Sequence, residues 1–183
     1  MNLPNFLTLL RIGLVPIFIF FYSRESVEGS AIAALVFFIA ALTDALDGYL
    51  ARRRSEITRL GILLDPIADK ILIISAFVLL VDRDRIPAWI AIVMIVREIA
   101  VTGLRAVAVS KGIVIAAETG GKYKTLLQVA AILCLLLATP SLPLGAFLDW
   151  AGWILLIAAM TLALSSAWRY FTKFGHQIHL LKG

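Results

Sequence analysis

Six apolar stretches, most of them long enough to cross a lipid bilayer, make up most of this sequence. A helix that spans the hydrocarbon core needs about 20 predominantly apolar residues. Apolar residues form 61% of the 183-residue chain, against about half in soluble domains. Too little polar surface remains to cover a water-soluble globule of this size. The stretches are roughly Leu3–Tyr22, Ser30–Ala51, Leu60–Val81, Ile86–Ser110, Thr125–Thr139 and Leu144–Trp168.

The connections between these stretches are short and leave no room for a second, soluble domain. We therefore predict an all-α integral membrane protein whose residues 1–183 form one domain, a bundle of six transmembrane helices. The first stretch starts at Leu3 without a basic leader, so we expect it to be retained as a helix. A polar, basic tail is expected after Trp168.

The charged residues give the bundle an orientation. With the N-terminus in the cytoplasm, the outer turns are net acidic, whereas the inner helix ends carry most of the lysines and arginines. This asymmetry places both termini in the cytoplasm. The net charge of +5 would also attract anionic lipid headgroups, and no nucleic-acid partner is expected. The inner basic residues are Arg52, Arg53, Arg54, Arg59, Lys111, Lys122, Lys124, Lys173 and Lys182.

Four aspartates interrupt the apolar sequence of the second and third stretches. A charged side chain at the bilayer centre costs at least about 2.5–3.5 kcal/mol, so these carboxylates must face the bundle interior or an aqueous cavity. Asp44 and Asp47 are three residues apart, and Asp65 and Asp69 are four apart, so each pair lies on one helix face. Folding the two helices back on each other brings both pairs to matching heights, Asp44 and Asp69 about 12 Å from the inner helix ends.

The four aspartates therefore predict a polar metal-binding cavity in the cytoplasmic half of the bundle. Four neighbouring carboxylates cannot all stay ionised without compensation. Carboxylate oxygens suit Mg²⁺, Mn²⁺ or Ca²⁺, whereas zinc would favour His or Cys ligands. An alternative is that the acids form interhelical ion pairs with Arg97, Arg105 or Lys70. Gly48 and Gly61 would leave backbone open to a ligand or allow close helix packing.

Read together, these residues spell Asp44-x-x-Asp47-Gly48-x-x-Ala51-Arg52-x8-Gly61-x-x-x-Asp65-x-x-x-Asp69. This pattern resembles the signature of the CDP-alcohol phosphotransferases at every defined position. The resemblance implies an enzyme of a bacterial cytoplasmic membrane that transfers a substituted phosphate from a CDP-linked donor to an alcohol and releases CMP. Its active site would face the cytoplasm, and the protein would form a homodimer.

The resemblance also implies roles for individual residues. Asp44, Asp47 and Asp65 would ligate two divalent ions, Mg²⁺ or Mn²⁺, and Asp69 would act as general base with a share in metal binding. The residues expected to border the CDP donor are Gly48, Ala51, Arg52 and Gly61, together with Asn5 and Thr8. Asn5 and Thr8 could equally be helix-capping residues.

The flanks of the signature narrow the choice of substrates. Asn2-Leu3-Pro4-Asn5-x-Leu7-Thr8 and Arg97-Glu98-Ile99-x-Val101-Thr102-Gly103-Leu104-Arg105 resemble the bacterial members that make phosphatidylglycerol phosphate. That resemblance implies CDP-diacylglycerol as donor and sn-glycerol 3-phosphate as acceptor. The acceptor phosphate needs cations, and Arg105, Lys122 and Lys124 lie at the cytoplasmic side.

Several alternatives remain open at this point. Lys122 and Lys124 could be a plain positive flank, and Arg105 could pair with a buried Glu98 one heptad away. Members of the family with another acceptor (phosphatidylglycerol, inositol phosphate or serine) would keep the chemistry. A cation transporter would explain buried acids but not the glycines and arginine at fixed offsets.

Overall fold

The computed structural model describes the backbone of residues 3–54, 59–110 and 120–182, and the side chains within 8–43, 70–110 (except residue 109) and 123–175. Within these ranges the regular structure is entirely α-helical, which confirms the predicted fold class at this level. The six helices are α1 Leu3–Tyr22, α2 Val27–Arg54, α3 Arg59–Asp82, α4 Ala88–Ser110, α5 Gly120–Leu137 and α6 Gly145–Lys182.

Two helix boundaries differ from the prediction by about five residues or more, and the others agree more closely. Helix α5 begins at Gly120 rather than near Thr125, and α6 continues to Lys182 instead of ending near Trp168. Helix formation is cooperative, so an established helix readily extends into polar sequence. The extension of α6 is also held by packing, because Phe174 is buried against Ala108 of α4.

Three short turns, 23–26, 83–87 and 138–144, close one end of the bundle, which we call the distal end. Glu25 and Asp84 have positive φ angles of 54° and 53°, which reverse the chain between antiparallel helices. Ser26 caps α2, because its hydroxyl accepts a 2.9 Å hydrogen bond from the Gly29 amide. The last residues of α2 and α4 and the first residues of α3 and α5 lie at the opposite, proximal end.

Arg83 joins two of the distal turns. Its guanidinium donates a 2.5 Å hydrogen bond to the Tyr22 carbonyl, lies 5.3 Å from the centre of the Tyr22 ring and 3.6 Å from the Glu25 carboxylate. The end of α1 is thereby fixed to the α3–α4 turn.

The hydrophobic core lies towards the distal end and draws on all six helices. Phe18 of α1 and Phe37 of α2 are fully buried with ring centres 5.7 Å apart. Among the described side chains, the other large apolar ones that are fully buried are Phe77, Leu80, Ile90, Ile132, Leu135, Leu136 and Leu156. Helices α5 and α6 approach so closely that a Cβ on Gly152 would lie 2.8 Å from Leu135 Cγ.

The outer surface of the bundle is apolar, as expected for a protein surrounded by lipid. Large apolar side chains that are more than half exposed occur on all the helices; they include Phe20, Leu35, Val78, Ile92, Leu126 and Phe147. In the part of the chain with described side chains, one helical segment, Gly145–Gly175, is long and apolar enough to cross a membrane. The number of six spans stays a prediction.

Candidate active site at the proximal end

The backbone of α2 and α3 carries the four signature aspartates at matching heights. The two helices pack against each other. Asp44 lies ten residues before the end of α2 at Arg54, and Asp69 lies ten residues after the start of α3 at Arg59. At a rise of 1.5 Å per residue, both are about 15 Å from the proximal helix ends. Asp47 and Asp65 share a lower level.

Several of the predicted site residues lie in the helices but outside the described side chains. They are Asp44, Asp47, Asp65 and Asp69, the donor-site residues Asn5, Gly48, Ala51, Arg52 and Gly61, and the acceptor-site residue Lys122. Their predicted roles therefore stay predictions. The donor set of the four aspartates is chemically suited to a hard divalent cation, because it offers only carboxylate oxygens. Among the described side chains, no other cluster of three or more acids, histidines or cysteines is placed to hold a metal.

Helix α1 contributes polar side chains to the interior. Thr8 and Arg11 are three residues apart and each is only 1% exposed, so this face of α1 looks into the protein rather than into lipid. Because α1 begins at Leu3, Asn5 and Thr8 both lie inside the helix, and the capping alternative is wrong for both. An interior polar face on α1 is compatible with a contact to a polar ligand.

A pocket between α3, α4 and α5 begins directly beyond Asp69, and its α3 lining runs from Lys70 towards the distal end as far as Phe77. Its polar lining consists of Lys70, which directly follows Asp69, and of Glu98, Thr125 and Gln128; its apolar lining includes Phe77 and Met94. The Lys70 ammonium donates a 2.6 Å hydrogen bond to the Thr102 hydroxyl of α4. The pocket therefore combines charged groups of both signs with an apolar floor.

Glu98, which lines this pocket, is the centre of a cluster of charged side chains. One of its carboxylate oxygens, Oε2, accepts a 2.5 Å hydrogen bond from Arg97 Nη1 and lies 3.5 Å from Lys124 Nζ. The Lys124 side chain is 16% exposed, so Lys124 is not simply a solvated positive flank. Its ammonium reaches from α5 to Glu98, which lines the pocket.

The predicted alternative of an Arg105–Glu98 ion pair is wrong. Among the described side chains, the Glu98 carboxylate pairs with Arg97 and Lys124. Glu98 is also half-buried rather than buried, with 38% of its side chain exposed. Arg105 is exposed, and its guanidinium lies 6.0 Å from the ring centre of Tyr170 on α6. The side chain therefore lies at the proximal end, the end on which the acceptor pocket was predicted.

Sequence reasoning missed the role of Glu98 in this arrangement. Glu98 and Lys124 are 26 residues apart and on different helices, so no periodicity links them. The contact of Arg97 with the Ala163 carbonyl of α6, 66 residues away, had no sequence signal either. A charged Arg97-Glu98 pair inside an apolar helix was the only local indication of a buried network.

Comparison with known proteins identifies the group to which this arrangement belongs. The sequence profile of the family described as CDP-alcohol phosphatidyltransferase matches residues 1–164. The chain belongs to this family. Its members are membrane-bound enzymes that use divalent metal ions. The family resemblance read from the signature is thus confirmed, and the cation-transporter alternative is not supported.

Individual members of the CDP-alcohol phosphatidyltransferase family are similar over 72–94% of the chain. A Bacillus subtilis protein named CDP-diacylglycerol–glycerol-3-phosphate 3-phosphatidyltransferase is 42% identical over 186 residues, covering 94% of each chain. Proteins of the same name are 42% identical in Haemophilus influenzae, covering 72% of this chain and 73% of that one, and 34% identical in Rickettsia bellii, covering 93% of each.

Proposed function

We propose that this enzyme transfers the phosphatidyl group from CDP-diacylglycerol to sn-glycerol 3-phosphate, giving phosphatidylglycerol phosphate and CMP. The observation that carries the proposal is the 42% identity, over 94% of both chains, to a relative named for that reaction. The pocket lined by Lys70, with Lys124 in contact with its Glu98, is suited to an anionic acceptor.

The aspartates supply the reactive centre. Asp44, Asp47 and Asp65, with a share from Asp69, would hold two divalent ions, Mg²⁺ or Mn²⁺. When bound, such ions neutralise the diphosphate charge and align the reacting oxygens. The protein's part is to bring carboxylates from two helices to one height, which the equal positions of Asp44 and Asp69 along α2 and α3 support.

Asp69 is proposed as the general base. Its carboxylate takes the proton of the acceptor's free hydroxyl, and that oxygen forms a bond to the phosphorus attached to diacylglycerol. The bond from this phosphorus to the bridging oxygen of the diphosphate breaks, and CMP leaves with the electron pair. A positioned base of this kind contributes about 10²–10⁴-fold to rate.

The donor and the acceptor would approach from different sides of the aspartates. Gly48, Ala51, Arg52 and Gly61, with Asn5 and Thr8 from α1, are proposed to border the cytidine diphosphate. Thr8 supports this assignment, because it is buried and faces the interior. The phosphate of glycerol 3-phosphate is proposed to bind three cations of the proximal end, namely Arg105, Lys122 and Lys124.

The proposed topology follows from the same chemistry. Six spans with both termini in the cytoplasm would keep the acyl chains of CDP-diacylglycerol in the inner leaflet while the water-soluble acceptor arrives from the cytoplasm. A homodimer in a bacterial cytoplasmic membrane, in contact with membrane lipids, completes the proposal.

The deciding experiment is CMP release by the purified protein in detergent, with CDP-diacylglycerol, Mg²⁺ or Mn²⁺, and a panel of alcohols. We expect turnover with glycerol 3-phosphate and its loss on addition of EDTA. Turnover with phosphatidylglycerol, inositol phosphate or serine instead would overturn the acceptor assignment and keep the mechanism. Absence of turnover with every alcohol, in protein that elutes as a single folded species, would overturn the proposal.

A further inference from the structure

Glu98, which has no role in the proposed reaction, contacts Lys124, one of the cations proposed to bind the acceptor phosphate. Glu98 Oε2 lies 3.5 Å from the Lys124 ammonium. Glu98 lines the pocket together with Lys70 and Gln128. The Lys124 ammonium stands on a long, flexible stem, and ordering such a side chain costs rotamer entropy. A fixed carboxylate beside the ammonium reduces that cost at the moment when substrate binds.

Glu98 is itself held by a rigid neighbour. Arg97 is buried, with 6% of its side chain exposed. Its Nε donates a 2.9 Å hydrogen bond to the Ala163 carbonyl of α6, and its Nη1 donates to the same Glu98 oxygen that faces Lys124. The guanidinium therefore connects a backbone atom of α6 to the carboxylate. The chain of contacts runs from α6 through α4 to α5.

The charges explain why this arrangement suits an anion. A single carboxylate stands between the cations of Arg97 and Lys124, with the Lys70 ammonium lining the same pocket. The group stays net positive, so a phosphate is still attracted. Arg97 is directed towards α6 and Glu98, whereas Lys124 reaches Glu98 from α5, next to the pocket-lining Thr125.

We propose that Glu98 is a positioning residue: it orients Lys124 towards the acceptor phosphate, and Arg97 fixes Glu98 to α6. The inference rests on the proposed function, because it takes Lys124 as a ligand of the acceptor phosphate. Glu98 touches neither reacting atom in this proposal, so its effect must pass through Lys124.

A double-mutant cycle tests the proposal, with Glu98→Gln, Lys124→Gln and the double variant assayed for CMP release. Each single variant is expected to raise KM for glycerol 3-phosphate about tenfold, within the range of coupling energies for contacting groups, with little change in kcat or in KM for CDP-diacylglycerol. Glu98→Gln should add almost nothing in the Lys124→Gln background. Equal effects in both backgrounds, or an equal rise in KM for the donor, would overturn the proposal.

Amine labelling provides a readout that does not depend on the acceptor. The rate at which an amine-reactive ester modifies Lys124, followed by mass spectrometry, should rise several-fold in Glu98→Gln, because the ammonium is no longer held. Glu28→Gln is the matched control, since Glu28 is an exposed acid at the distal end, and its Lys124 rate should equal that of wild type. An unchanged labelling rate in Glu98→Gln would show that Glu98 does not hold the Lys124 ammonium. A raised rate in protein that does not use glycerol 3-phosphate would instead locate the failure in the proposed function.

Discussion

Arg97 on α4 is hydrogen-bonded to the backbone carbonyl of Ala163 on α6, with 2.9 Å between Nε and the carbonyl oxygen. A guanidinium inside an apolar bundle is costly unless its donors are satisfied. Here one donor is satisfied by another helix and another by Glu98. The pair thereby fixes the packing of α4 on α6 at the height of the polar pocket.

Replacing Arg97 by Leu is expected to destabilise the protein. The change leaves the Glu98 carboxylate with Lys124 alone and removes the link to α6, and lost hydrogen bonds to charged groups cost about 1.5–3 kcal/mol. Arg97→Lys should recover only part of the loss, since an ammonium lacks the planar fork. Unfolding in mixed detergent–SDS micelles measures the difference. A stability equal to wild type for Arg97→Leu would contradict the structural role.

Asp69→Asn should abolish turnover while leaving the donor bound. The amide keeps the shape of the side chain but cannot accept the hydroxyl proton, so kcat is expected to fall by about 10²–10⁴. Binding of CDP-diacylglycerol in the presence of Mn²⁺, measured by calorimetry, should change little. Wild-type turnover by this variant would refute the general-base assignment.

Arg105→Ala is expected to weaken the acceptor more than the donor. The loss of one charge-assisted hydrogen bond to phosphate, worth about 1.5–3 kcal/mol, corresponds to a rise of roughly ten- to hundredfold in KM for glycerol 3-phosphate. KM for CDP-diacylglycerol should stay within about twofold. Arg85→Ala is a control at the distal end, where Arg85 lies 3.8 Å from Asp149. Equal changes in both KM values for Arg105→Ala would argue against its role.

Gly152→Ala should separate α5 from α6. A Cβ at this position would lie 2.8 Å from Leu135 Cγ, and Leu135 is fully buried, so the helices must shift. Overpacking of this kind costs about 1–3 kcal/mol. Gly13→Ala is the matched control: a Cβ there would meet nothing within 4 Å, and alanine is the better helix former. Thermal unfolding in detergent should show a lower Tm for Gly152→Ala alone.

Much of this arrangement was predictable from local sequence. The first helix, Leu3–Tyr22, begins and ends where its apolar stretch does, because the length of such a stretch can be read directly from consecutive residues. Four consecutive charged residues, 82–85, and Pro87 predicted the turn at 83–87. The aspartate signature indicated the family, because the spacing of residues along a helix fixes their relative positions in the folded protein.

Other features could not be predicted from local sequence. The extension of α6 to Lys182 depends on the contact of Phe174 with Ala108. The pairing of Glu98 with Lys124 depends on where α5 lies beside α4. Both are contacts between residues far apart in the chain, and no periodicity encodes them.

The sequence by itself therefore determined that the chain is helical, that its surroundings are largely lipid, and which family it belongs to. Those conclusions rest on composition, apolar length and the spacing of charged residues. Only the tertiary structure decided that Glu98 joins Arg97 and Lys124, that Arg105 lies beside Tyr170, and that Thr8 and Arg11 face inward. The reason is physical: the partner of a polar group inside a membrane protein is set by which helices pack together at which height.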